Sequence, residues 1–266
     1  MVRDLLSPTA LLDETPAAVR RAAPWVGLLW LTGIPFHLLQ AGFFREVFRL
    51  GSGVRDYGDH LAEFALLSLV ALLPALWGRA VFVRACLLGL QSGAAPGREA
   101  LRVPAAVLGT YLYTALLVES LFYATVWTYV AVPAVAVLGA LAAATAHRAE
   151  RPGLVAPLRE ILSELSDVGP ILALVFVYAI GLAVAAINVL LLFQLGLWAA
   201  GATGGDLSRW EHLLDQDLAR WVMGTGALMF VEPFWLASFA VLAHRSRLRE
   251  TGEDLRSWFL RLTRAP

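Results

Sequence analysis

The feature that most constrains this chain is its last apolar run. Trp221 to Ala243 is predominantly apolar, broken by Glu232-Pro233, and His244, Arg245, Arg247 and Arg249 follow at once. About 20 apolar residues in helical form cross the hydrocarbon core of a bilayer, and arginines directly behind such a run mark the side that stays in the cytoplasm. The run therefore predicts a membrane span.

Composition extends that expectation to the whole chain. Of 266 residues 59% are hydrophobic and 16% charged, with a mean hydropathy of +0.67; a soluble domain has about 45–50% and 25%. A water-soluble globular reading is excluded. The 21 basic residues are all arginine and are matched by 21 acidic ones, which argues against a nucleic-acid partner, since that needs a basic stripe. The single cysteine, Cys86, excludes a disulfide framework or a cysteine metal site and reads as a small packing residue. Residues 1–23 mix charged and polar side chains. They lack the basic end, apolar core and cleavage site of a secretory signal, so the first span is expected to direct its own insertion.

Taken in order, Thr15-Pro16 predicts a helix start, and the first span runs from Pro24-Trp25 to Phe44 with a kink at Pro35. Residues 45–60 read as a charged connector. A second helix begins near Asp59 and continues past Arg79 and Arg84 to Leu90; at roughly 48 Å it overshoots a core of about 30 Å. Gly93, Pro96 and Gly97 break the chain, and Arg98 and Arg102 open the next helix. Val103 to Ala146 carries no charge except Glu119 and, at about twice a crossing length, predicts a hairpin of two spans turning around Phe122 to Pro133. Residues 147–167 predict a short amphipathic helix on the membrane surface. Val168 to Ala200 is the fifth span, 201–220 a Gly-rich turn and acidic segment, and the last run the sixth.

The expected fold is thus all-α, a polytopic transmembrane bundle of about six spans with short amphipathic interfacial helices, in one integral membrane domain covering 1–266. Residues 1–23 form a cytoplasmic segment, 24–243 the spans and 244–266 a cytoplasmic amphipathic tail. Arginine placement orients it: 16 fall on the side holding both termini and 5 on the other. This predicts a multi-pass protein of the bacterial cytoplasmic membrane with both termini inside.

Three carboxylates stand in or near apolar spans, Glu63, Glu119 and Glu232. A charge at bilayer depth is costly, so such residues face the bundle interior or water and often mark a pathway. Glu119, Glu232, Pro233 and Asn188 are the candidate intramembrane polar site, for a proton or cation relay or a polar cradle; the competing reading is a structural clasp between helices. Pro233 favours the first, because a proline frees a carbonyl one turn earlier. Arg79, Arg84, Arg245, Arg247 and Arg249 are candidate interfacial, lipid-facing basic residues. His37, His60, His147, His212 and His244 stand singly, none with the i,i+4 partner of a helical metal site. No metal, cofactor or catalytic residue is expected. The tail from Leu248, with Leu255, Trp258, Phe259 and Leu262 on one face, suits a membrane surface or a docked partner.

Four stretches carry a resemblance, one of them Val132-Pro133-Ala134-Val135 late in the apolar hairpin. The others are Val231-Glu232-Pro233-Phe234-Trp235 through Ala243-His244-Arg245 to Thr251-Gly252-Glu253-Asp254-Leu255; the Gly/Pro break from Gly89 to Arg102; and Arg151-Pro152-Gly153 before the fifth span. Together they resemble uncharacterised bacterial polytopic membrane proteins similar to the membrane domain of glycerophosphoryl diester phosphodiesterases, without the catalytic head. The resemblance implies a non-catalytic membrane component, and no catalytic residue transfers. The leading expectation is a non-enzymatic scaffold or anchor of a cell-envelope assembly, in contact with membrane lipid and with a protein partner or copies of itself. The alternative is a transporter or channel for a small solute or lipid that uses its intramembrane carboxylates.

Overall fold

The computed structural model describes residues 8–51, 60–125, 131–147, 168–202 and 217–251. Among these there are seven α-helices and no strand: α1 (Pro8–Arg21), α2 (Ala23–Gly51), α3 (Leu61–Ser92), α4 (Ala105–Thr125), α5 (Ala131–Ala146), α6 (Val168–Ala202) and α7 (Asp217–Thr251), with a 3-10 turn at Arg98–Leu101 before α4. Helices are what apolar runs must form in lipid, where each backbone N–H and C=O needs a partner within its own segment. Four of them are long and apolar enough to cross a membrane, over Ala23–Val47, Leu61–Ser92, Gly169–Ala202 and Met223–Leu248. Their outward faces agree: Leu31 is 70% exposed, Phe176 and Leu192 67% and Trp198 71%, a display of apolar surface that suits lipid and not water.

Helix ends follow local chemistry. α3 stops at Ser92-Gly93, where Gly93 adopts φ +73° and its N–H bonds the Gly89 carbonyl at 3.0 Å, the left-handed cap that glycine makes without strain. The Ser92 hydroxyl donates to the Leu88 carbonyl at 2.8 Å. Pro104 precedes α4 and accepts from the Leu108 N–H at 3.0 Å. α4 and α5 pack together, but their apolar stretches among the described residues, Ala105–Leu117 and Val137–Ala146, are shorter than the four long spans, and the turn expected between them lies partly in residues 126–130, outside the described ones. The surface helix expected over 147–167 lies almost wholly outside them, as does the tail from Gly252.

Three boundaries differ from the sequence reading. α1 starts at Pro8 and holds Pro16 inside it; Thr15 does not cap a helix but is buried, donating to the Leu11 carbonyl at 2.8 Å. α2 continues through Arg45 and Glu46 to Gly51, because the helix carries its charges beyond the apolar run instead of ending at the first one. Arg98–Leu101 is only a 3-10 turn, since Pro104 forces the preceding residue out of helical geometry.

The chain divides into two compact units. One draws on Met1–Gly27, Arg79–Val175 and Phe234–Pro266, the other on Leu28–Gly78 and Phe176–Pro233. In the first, small residues dominate the core: Ala18, Ala22, Ala80, Ala85, Ala142, Ala143, Ala144, Ala237 and Ala240 are buried, as close helix contact in lipid requires. Ser238 shares a hydrogen bond of 3.0 Å with Thr15, and Arg245 grips Glu14 through two contacts of 3.0 and 2.6 Å. In the second unit, α2 and α3 approach through glycine. A Cβ at Gly42 would lie 2.6 Å from the Phe64 ring, and one at Gly78 would fall on Thr32 Oγ1.

Candidate functional site

The second unit buries a histidine and a carboxylate in contact. His37 of α2 is 4% exposed and Glu232 of α7 is 6% exposed, and His37 Nε2 lies 3.1 Å from Glu232 Oε2. Both side chains belong to stretches long and apolar enough to be spans. Each stands near a proline inside its own helix: Pro35 precedes His37 by two residues, and Pro233 directly follows Glu232. Gly33, one helical turn before His37, faces the pair at ordinary van der Waals distance. A Cβ there would sit 3.4 Å from His37 Cδ2 and 3.9 Å from Glu232 Oε2. The Phe36 ring lies 5.3 Å from the imidazole, centroid to centroid, tilted by 58°.

Pro233 lacks an N–H, so the carbonyl four residues earlier, that of Met229, loses its helical donor. Trp30 of α2 supplies a replacement: its indole Nε1–H donates to the Met229 carbonyl at 2.8 Å. Two polar contacts therefore join α2 to α7, one at the carboxylate before the proline and one at the carbonyl that the proline opens.

The sequence candidates separate on this geometry. Glu232 and Pro233 belong to the site. Asn188 is exposed on α6, beside the outward-facing Ile187 and Leu191, whereas Glu232 is buried. Glu119 lies in α4, and its side chain is outside the described ones. Glu63 is exposed and pairs with His60 at 3.2 Å. Arg245 is held by Glu14, its side chain 12% exposed. Arg84 is half-buried and donates from Nε to the Glu99 carbonyl at 3.2 Å. Arg79 is half-buried on α3 and Arg247 exposed on α7, and the Arg249 side chain lies outside the described ones.

Two residues were not singled out by sequence. His37 stands alone in the sequence, and its partner is 195 positions away. Glu46, in the stretch that reads as a connector, is 4% exposed, and its Oε2 and Arg45 Nε are buried with no hydrogen-bond partner among the described residues. Among the described residues no group of three His, Cys, Asp or Glu is placed to hold a metal ion.

A hydrogen-bonded imidazole and carboxylate form a unit that can take up, share and release one proton while both groups stay buried. They also fasten two helices together. No protein-family model, curated protein or solved structure matches the chain.

Proposed function

We propose that the protein is a proton-coupled carrier for a small solute or lipid, with the His37–Glu232 pair as its proton-binding element. The observation that carries this reading is the burial of both groups, in hydrogen-bond contact, inside helices able to span the bilayer. A titratable pair at that depth is costly to keep unless it is used, and the proline beside Glu232 gives α7 a place to bend. A proton suits the pair better than an alkali cation does, because an imidazole nitrogen and one carboxylate lack the several oxygen ligands that a hard cation prefers.

In this reading the protein has six spans, α4 and α5 being the third and fourth, and lies in the bacterial cytoplasmic membrane with both termini inside. About 15 Å of helix separates His37 from Val47 and about 13 Å separates Glu232 from Met223. The pair is then equally deep from the outer ends of the first and last spans. We also propose, from the sequence resemblance alone, that the chain is related to the membrane domain of glycerophosphoryl diester phosphodiesterases, as a membrane component without hydrolytic residues of its own.

The test is proton movement into proteoliposomes containing a pH dye, driven by a potassium diffusion potential. The proposal includes a proton path that runs without bound solute, so the protein should carry protons well above the protein-free leak, and E232Q and H37Q should each lose most of that rate while still inserting and purifying as the parent does. A parent no faster than empty vesicles, or an E232Q protein as fast as the parent, overturns the proposal.

A second reading, the anchor subunit, is favoured by a different observation. Glu14–Arg245 and Thr15–Ser238 fix the far part of α7 against α1, which makes a firm base for the basic segment that follows. Mild-detergent purification with mass spectrometry tests it. A stoichiometric partner that is lost on deleting Leu248–Pro266 supports the anchor, and purification alone removes it.

A further inference from the structure

We infer that Trp30 is a positioning residue for the His37–Glu232 pair, acting through the carbonyl that Pro233 leaves open. The inference goes beyond the carrier reading, because it concerns how the pair is held and stands whether or not protons cross the membrane. It starts from a backbone fact. In an uninterrupted helix the residue at 233 would donate to the Met229 carbonyl; proline has no hydrogen there. In lipid an unpaired carbonyl costs several kcal/mol, so it takes a donor from a neighbouring helix. Trp30 Nε1 is that donor, at 2.8 Å.

The position of that bond gives it a second effect. Met229 is three residues before Glu232, and Trp30 is seven before His37, so contacts at both places lie on the faces that α2 and α7 turn to each other. A proline-containing helix is free to change its local pitch and bend at the break. A bend at Pro233 rotates the neighbouring Glu232 side chain, and 3.1 Å leaves little room for rotation before the hydrogen bond to His37 is lost. Tying the Met229 carbonyl to α2 fixes the turn that carries Glu232. The hydrogen bond of Trp30 goes to the Met229 carbonyl and not to His37 or Glu232, so its influence runs through the backbone of α7.

Pro233 supplies its own control. Replacing it with alanine restores the N–H at 233 and gives the Met229 carbonyl back its helical donor, which makes the indole bond redundant. The experiment uses the full chain in lipid bilayers with 15N-labelled histidine, reading the His37 ring nitrogens by solid-state NMR after assigning them with H37Q. The parent should give one His37 Nε2 resonance, displaced by its bond to the carboxylate; E232Q marks the position of the signal when that carboxylate is gone. W30F should split the resonance or move it toward the E232Q position. W30F/P233A should return it to the parental position, and P233A alone should leave it there. An equal displacement by W30F in the parental and P233A backgrounds would mean that Trp30 acts by packing and overturns the inference, as would a W30F spectrum identical to the parent's. Should W30F not insert, W30Y keeps an aromatic ring and a donor at a changed reach, and the same comparison with and without P233A applies.

Discussion

Removing either member of the buried pair has a cost that the structure allows to be apportioned. In water-soluble proteins, breaking a buried ion pair by deleting one partner costs about 3–5 kcal/mol, because the other charge is stranded. In membranes the unfolded state keeps its helices in lipid, where polar groups find substitutes, and measured couplings average about 0.6 kcal/mol with a ceiling near 1.7. His37 and Glu232 are 4% and 6% exposed and 3.1 Å apart, so little water competes for either, and the coupling belongs near that ceiling, at about 1.5 kcal/mol. H37A also removes packing against Phe36 and should cost about 3 kcal/mol, E232A about 2, and the double variant about 3.5. The assay is reversible unfolding by sodium dodecyl sulfate in lipid–detergent micelles, with all four proteins of the cycle followed by tryptophan fluorescence. A coupling below about 0.3 kcal/mol would show that the two side chains do not share a bond.

Other consequences are simpler to read. G42A places a methyl group 2.6 Å from the Phe64 ring; overpacking of about 1–3 kcal/mol exceeds the helix-propensity gain of about 1, so the same unfolding assay should show a loss, while G109A, with open space around it, should be neutral or better. R245A and E14A should each cost only about 0.5–1 kcal/mol, because the Glu14 side chain is 43% exposed and solvent screens it; the exchange R245E/E14R should recover part of that loss. His147 donates from Nε2 to the Ala80 carbonyl at 3.1 Å, and burial pushes its pKa down to about 4 from 6.5. Its folded form therefore binds fewer protons than its unfolded form in that interval. The stability it contributes is complete above about pH 6.5 and is lost as pH falls toward 4. H147Q should flatten the pH dependence of unfolding across that window.

The class of fold was legible because bilayer dimensions act on length and polarity alone. Runs such as Val168 to Ala200 have no other stable form, and the structure keeps them as long helices. Glu232 was legible for the same reason, as a charge in an apolar run beside a proline. His37 was not. A single histidine is only weakly polar by composition, and the contact that gives it meaning lies across 195 residues, beyond any helical periodicity. The usable signal was the parallel between two spans, each with one titratable residue next to one proline and, in the first, a glycine a turn away. Arg45 and Glu46 look like the start of a connector because they are the first charges after an apolar run, whereas α2 carries both inside its helix. Arg245 looked lipid-facing because arginines behind a span usually snorkel; its partner Glu14 sits in a segment that sequence alone did not fold against α7.

The central claim is that Glu232, inside the bundle, takes up and releases a proton in concert with His37. The most direct measurement is a pH-difference infrared spectrum of the protein in lipid bilayers, read at the carboxylic-acid carbonyl stretch. The account predicts a protonation band that disappears in E232Q and shifts in H37Q. A spectrum with no band assignable to Glu232 across the range in which the protein stays folded would contradict it.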